Sequence, residues 1–236
     1  MFANGDDVHG STAVQMFELD CKPNEAKKKY KALRQAAKVL NFLLIYGGSA
    51  PTLYNNLKEN HQDPIDLGDK KHLAEYAEYG VKNGVDVAQV YIDKYFEAYK
   101  GVAKFIRDQH RFAHTHGYVY TLLKRKRRLP DINSADRKMS AYCERLSVNA
   151  TIQGSAADIT SSAQNKIDQD PWFEEHRCLM LVQVHDELVF ECPEEYVEEA
   201  IERIQLRMRY PFKDGVEFEP AMLSEANFGN SYREAK

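Results

Sequence analysis

The sequence predicts an α+β fold, a mostly helical first part followed by a smaller part built around an antiparallel β-hairpin. Three observations carry that expectation. The stretch from Arg34 to Tyr46 runs without Gly or Pro and ends on the pair Gly47-Gly48, the pattern of a helix with a firm C-terminal stop. Residues 87–116 set Val90, Tyr91, Tyr95, Phe96 and Tyr99 along one apolar helical face. Late in the chain, the apolar runs Leu179 to Val184 and Leu188 to Phe190 flank His185-Asp186-Glu187, as strands flank the tip of a hairpin.

In chain order, residues 1–20 lead into an apolar helical start through Met16 and Phe17. Pro23-Asn24-Glu25 is a helix entry with Asn24 as the cap and Glu25 complementing the helix dipole, and that helix continues to Gly47. Residues 51–59 and 70–79 predict two short helices within a polar, Gly- and Pro-punctuated region. Gly117 to Leu122 alternates like a short strand and enters a basic cluster closed by Pro130-Asp131. A long helix is expected from Ser134 to Ile167, a buried strand from Leu179 to Val184, and an acidic amphipathic helix over 194–208. Val216 to Pro220, with Met222, predicts a final edge strand.

Composition excludes several classes. Charged residues make up 29% and hydrophobic ones 43% of 236 residues, a globular and not a disordered balance. No apolar run reaches the roughly 18 residues a membrane helix needs, and Asp6 and Asp7 interrupt the N-terminus as no signal peptide is interrupted. A cytoplasmic protein without a membrane partner is expected. Cys21, Cys143, Cys178 and Cys192 form no C-x-x-C pair, which predicts reduced thiols and no zinc site. His110 and His114 share a helical face, but no carboxylate at matching spacing makes them a metal set.

Net charge is −4, yet its distribution favours a local polyanion site. Lys27, Lys28, Lys29, Lys31, Arg34 and Lys38 form one basic cluster, and Lys124 to Arg128 form a second. Within the first, Arg34, Lys38, Phe42 and Tyr46 recur at steps of four, so they wind as a stripe about 18 Å long. It begins with cations and ends with aromatic rings, the profile of a receptor for a nucleoside triphosphate. The competing expectation is an amphipathic helix with Phe42 and Tyr46 in the core. Arg145, Asn149 and Gln153 repeat the step of four as a second, hydrogen-bonding stripe. His-Asp-Glu is also a poor hairpin turn, since such turns favour Asn-Gly or Asp-Gly.

Together these motifs resemble the family A DNA polymerases, the bacterial DNA polymerase I type. Arg34, Lys38, Phe42 and Tyr46-Gly47 are similar to that family's fingers-helix motif, and Gln183-Val-His185-Asp186-Glu187 to its palm hairpin. Glu144 to Asp158 resembles the helix between fingers and palm. Gly5-Asp6-Asp7-Val8-His9 with Thr12-Ala13, and Gly117 to Leu122, match further family motifs in the family's order. The tail from Gly229 to Lys236 is like the family's C-terminus, with Tyr232 where Trp is usual.

The resemblance implies a fingers-like subdomain over 1–133, with a palm edge at 1–20, and a partial palm over 134–236. It implies that His9, Arg34 and Lys38 hold the triphosphate of an incoming dNTP, with Lys38 as the general acid for the departing pyrophosphate. Phe42 packs on the sugar and base, and Tyr46 stacks at the templating position. Arg125, Arg127, Arg145, Asn149, Gln153 and His185 face primer–template DNA. Donors such as Arg145 and Gln153 suit minor-groove acceptors, which every correct base pair presents. Asp186 is the implied metal ligand with Glu187 beside it, in a two-metal Mg²⁺ site.

The family's other metal-binding Asp belongs to a D-x-S-x-x-E strand motif absent from these residues, as is the thumb. The expectation is therefore a C-terminal portion of a split or truncated bacterial or phage DNA polymerase. A second polypeptide then supplies the missing Asp, and this chain alone does not polymerise. The alternative is an inactive remnant that binds nucleotide or primer–template. Residues 53–86 are longer and more polar than the family's segment, and Lys124 stands where Gly is usual.

Overall fold

The computed structural model describes residues 7–59, 70–213, 218–219 and 221–235. They form helices α1 (Val8–Phe17), α2 (Pro23–Lys29), α3 (Lys31–Ile45), α4 (Ala50–Glu59), α5 (Lys70–Glu75), α6 (Gly84–Ala98) and α7 (Lys100–His116). The hairpin strands β1 (Tyr118–Tyr120) and β2 (Lys126–Arg128) follow, then α8 (Arg137–Asp168) and α9 (Pro171–Glu175). Strands β3 (Leu179–Val184) and β4 (Glu187–Glu191), with α10 (Val197–Arg209) and α11 (Tyr232–Ala235), complete the chain. The fold is α+β, as the sequence predicts, with two two-stranded antiparallel sheets among the described residues.

The chain divides into two compact units, residues 1–152 and 153–236, and the boundary falls inside the long helix α8. In the first unit α1, α3, α4 and α6 enclose a core that includes Met16, Leu40, Leu44, Leu53, Val87 and Tyr91. A smaller cluster of Ala113, Val119, Leu129, Ile132 and Cys143 joins α7 and β1 to the start of α8. In the second unit Ile167, Trp172, Phe173, Cys178 and Ala200 are buried, with Leu188 and Phe190 of β4 packed on them.

Several expectations are corrected. The helix entered at residue 23 does not run unbroken to Gly47: Tyr30 leaves helical geometry (φ −135°, ψ 50°) and separates α2 from α3. Both segments pack against α1, which one straight helix across this turn does not allow. Asn24 is not the cap. Lys22 holds that position with Pro23 as the first helical residue, and Asn24 Oδ1 instead accepts the Asp7 amide at 2.8 Å. Gly10 permits the same approach, because a Cβ there would lie 2.1 Å from the Pro23 carbonyl oxygen.

The 87–116 stretch is two helices broken at Tyr99, whose hydroxyl lies 2.9 Å from Thr12 Oγ1 of α1. Over 194–208 the helix starts late, after a 3₁₀ turn at Glu194–Tyr196. β3 is not buried: Leu179, Leu181 and Val182 are half exposed or more. Its only strand neighbour among the described residues is β4, and it is β4 that packs on the core. The edge strand expected over Val216 to Met222 is not formed at its described residues: Phe218, Glu219, Ala221 and Met222 are irregular, and its other positions lie outside the described residues.

Candidate nucleotide and nucleic-acid site

α3 buries Ala36, Ala37, Leu40, Asn41 and Leu44 and turns its other face outward. That outward face carries the stripe. Phe42 is 47% exposed, which overturns the placement of this ring in the core. Lys38 Nζ lies 6.0 Å from the centroid of the Phe42 ring, within reach of a cation–π contact. Tyr46 is the C-terminal cap of α3 and is partly buried. An open hollow of about 340 Å³ runs along this face, lined by Gln35, Lys38, Phe42, Leu43, Tyr46 and Asn56 among others.

α1 brings His9 to the same face, its ring 5.6 Å from that of Phe42. Burial, and then the charges of Arg34 and Lys38, push the His9 pKa below the usual 6.5, so the ring is neutral at pH 7. Its Nδ1 lies 2.9 Å from Asn41 Nδ2. Arg34 is not a free cation: its Nε and one Nη donate to both oxygens of Asp7, the second bond at 2.9 Å. The same Asp7 caps α1 by accepting the His9 amide at 3.1 Å. The Arg34 bond is the chief cause that holds the Asp7 carboxyl below the usual carboxylate range.

The second basic cluster sits on the β1–β2 hairpin, with Val119 opposite Arg127 and Tyr120 opposite Lys126. Lys126 Nζ lies 4.0 Å from the centroid of the Tyr118 ring. Arg125 and Arg127 are exposed, one before β2 and the other within it. On α8, Arg145 and Gln153 are exposed. Asn149 Oδ1 is buried with no hydrogen-bond partner among the described residues.

In the second unit Val184 pairs with Glu187, so the hairpin tip is the two residues His185 and Asp186, and Glu187 opens β4. His185 takes φ +56°, a left-handed conformation uncommon outside Gly, and its carbonyl accepts Gln183 Nε2 at 2.8 Å. The turn is thus strained where it carries its ionisable residues. His185, Asp186 and Glu187 are exposed, and Tyr232 Oη donates to Glu187 Oε2 at 3.2 Å. Among the described residues, no three or more His, Cys, Asp or Glu come together as a metal set. All four cysteines are free, and no helix among the described residues is long and apolar enough to cross a membrane.

The structure thus brings His9, Arg34, Lys38, Phe42 and Tyr46 together on one unit, and His185, Asp186 and Glu187 on the other. The sequence reading placed Asp7 and Thr12 in a motif without giving them a role, and Asn41 escaped it. Asn41 had a signal: it is a polar residue at a buried helical position between Ala37 and Leu44, and such a group needs partners.

DNA polymerase family A matches residues 1–234. DNA polymerase I of Streptococcus pneumoniae (strain ATCC BAA-255 / R6) is 32% identical over 235 residues, covering 100% of this chain and 23% of that protein. DNA polymerase I of Deinococcus radiodurans is 37% identical over 199 residues, covering 84% of this chain and 18% of its own length. Among solved structures, the POL domain of Pol1 from M. smegmatis, in complex with DNA primer–template and dNTP, superposes with a TM-score of 0.78 at 29% identity. It covers 98% of this chain, which spans 35% of that one. The chain therefore spans under a quarter of the curated relatives it matches. With the match extending over nearly every residue, this chain belongs to the family A DNA polymerases.

Proposed function

We propose that the chain contributes the nucleotide-gripping and part of the DNA-contacting surface of a template-directed DNA polymerase. One observation carries the reading: Phe42 lies exposed on α3 with Lys38 and His9 beside it, where core packing would hide it. A flat exposed ring next to two nitrogen donors suits a nucleotide's sugar and base next to its phosphates. The M. smegmatis neighbour, solved with primer–template and dNTP, supports the same assignment by analogy of fold.

In this reading His9 and Lys38 donate to the triphosphate, and Arg34, steadied by Asp7, adds positive potential beside them. Phe42 packs on the sugar and base, and Tyr46 stacks at the templating position. The primer 3′-oxygen attacks the α-phosphate, pyrophosphate leaves, and Lys38 gives it a proton. Arg125 and Arg127 contact the DNA backbone, while Arg145, Asn149, Gln153 and His185 face the primer–template. The fingers-like part is 1–133 and the partial palm 134–236. A bacterial or phage-infected cytoplasm, which keeps thiols reduced, is the compartment this reading implies.

Mg²⁺ is the implied cofactor. Asp186 and Glu187 offer the hard oxygen donors it takes, yet with no further acidic group in reach among the described residues they fit one side of a site. When bound, such ions stabilise the attacking and leaving oxygens. We assign the remaining carboxylate to a polypeptide outside these 236 residues.

Primer extension with this chain alone, with a polypeptide carrying D-x-S-x-x-E added, and with Asp186→Ala tests the reading. Extension is expected only when that polypeptide and intact Asp186 are both present. Activity of the chain alone, or activity that survives Asp186→Ala, overturns it. The lack of a complete acidic cluster among the described residues also favours a second reading, an inactive protein that binds nucleotide or primer–template. That protein binds DNA in a salt-sensitive way and extends no primer under any reconstitution.

A further inference from the structure

Asn41 is 6% exposed, on the buried face of α3, yet it carries the polar centre of a chain of contacts. Its Nδ2 lies 2.9 Å from His9 Nδ1 and 3.0 Å from Thr12 Oγ1, and its Oδ1 lies 3.1 Å from the same Thr12 oxygen. Thr12, itself buried, lies 3.0 Å from the Val8 carbonyl and 2.9 Å from the Tyr99 hydroxyl. The network therefore ties α1 and α3 to the junction of α6 and α7.

The donors in this network can be assigned by satisfaction. With Nδ2 toward His9, the two amide hydrogens of Asn41 have two acceptors, His9 Nδ1 and Thr12 Oγ1. Turned over, the amide would set Nδ2 beside Thr12 alone and strand one buried N–H, which native interiors rarely tolerate. The satisfied orientation makes His9 Nδ1 an acceptor, so the proton of the neutral ring sits on Nε2. Among the described residues that Nε2 has no hydrogen-bond partner, and Lys38 and Arg34 keep its surroundings positive.

We propose that Asn41 is a positioning residue: by donating to His9 Nδ1 it locks the imidazole in the Nε2–H tautomer and presents that N–H to an oxygen of a bound triphosphate. The second half rests on the reading of His9 given above; the first does not. Asn41 touches no nucleotide. It acts through His9, and Thr12 and Tyr99 hold it in place.

Two measurements on the whole chain test this separately. In ¹⁵N-histidine-labelled protein, with the His9 signals identified by their loss in His9→Leu, long-range proton–nitrogen correlations report which ring nitrogen carries the proton. The expected result is the Nε2–H tautomer in the wild type. In Asn41→Asp, which offers only acceptors at this place, the expected result is a proton on Nδ1. A wild-type His9 protonated on Nδ1 and not on Nε2 overturns the inference, whether or not any variant folds. Binding of dATP then addresses the nucleotide. Asn41→Leu is expected to lower affinity nearly as far as His9→Leu, and the double variant no further than His9→Leu alone. Equal losses from Asn41→Leu with and without His9 overturn the positioning role. If His9→Leu leaves affinity unchanged while the tautomer is as expected, the triphosphate reading of His9 fails and the tautomer lock stands.

Discussion

A Cβ on Gly47 would lie 2.6 Å from Cγ of Arg145, so the end of α3 rests directly against the stem of an arginine on α8. The two stripes that looked independent along the chain therefore meet within one unit, at the residue that follows Tyr46. Gly47 also takes φ +74°. Gly47→Ala meets both obstacles, a left-handed backbone and a filled space. It is expected to cost about 1–3 kcal/mol of stability, on the scale of left-handed strain plus a forced shift of Arg145. Urea unfolding of the two proteins measures this, and a difference below about 0.5 kcal/mol would show that the contact is not kept in solution.

Asp7 invites a cleaner experiment than Arg34, because Asn can keep the helix cap while losing the ion pair. Both partners are largely withdrawn from water, with side chains 17% and 22% exposed. Asp7→Asn is expected to lower stability by about 1–3 kcal/mol near neutral pH, the scale for a charge-assisted bond not wholly buried. The folded-state pKa is depressed, so this stabilisation is full above the ordinary carboxylate value of 3.8. It is lost as pH falls through the lower folded value. Wild-type and variant stabilities should therefore converge in acid. Parallel curves down to the lowest pH at which the chain still folds would assign the loss to something other than the pair.

Much of this was legible in the residues. The stop at Gly47-Gly48, the short helix expected over 51–59, the short strand β1 and the long α8 follow from local signals that act over a few residues, whereas the partner strand β2 was not foreseen. What escaped depends on partners distant in sequence. The break at Tyr30 has no Gly or Pro to announce it and exists because α2 and α3 each need α1. The exposure of Leu181 could not be inferred from an apolar run, since periodicity does not say whether a second layer exists to cover it. Arg34 had the right character for an anion site, but its pairing with Asp7 joins residues 27 apart.

His114 gives the opposite pH signature to Asp7. Its Nε2 donates to Glu144 Oε1 at 2.9 Å and its Nδ1 to Asn133 Oδ1 at 2.8 Å, so both nitrogens are used as donors. Glu144 first, then Asn133, raises its pKa above the usual 6.5, and the same carboxylate also acts on His110. The contribution is complete below pH 6.5 and fades as pH rises through the folded value. His114→Gln should remove that decline from the stability profile above pH 6.5. A variant whose profile declines as the wild type's does would show that the imidazolium pair adds nothing measurable.

Lys38 separates charge from proton donation. Lys38→Ala in the reconstituted polymerase is expected to lower the rate of nucleotide incorporation about 10²–10³-fold, the scale for loss of one positioned electrostatic donor. Lys38→Arg keeps the charge, but its guanidinium does not release a proton at ordinary pH. It should recover dNTP affinity more than rate. Equal recovery of both in single-turnover measurements would remove the general-acid role and leave Lys38 as a phosphate-binding cation.

His185 holds a left-handed φ of +56° next to Asp186 at the tip of the β3–β4 hairpin. Such strain costs roughly 1–2 kcal/mol for a non-glycine residue. Glycine removes it, while the greater freedom of glycine in the unfolded chain returns about 0.5–1 kcal/mol of the gain. His185→Gly should therefore leave stability unchanged or raise it by about 1 kcal/mol. If the imidazole faces primer–template DNA, the same change should weaken DNA binding and extension in the reconstituted polymerase. Gain of stability with loss of function would mean that the strain is kept for the side chain it presents. A destabilised variant would instead assign His185 to packing of the hairpin, and unchanged DNA affinity would remove it from the interface.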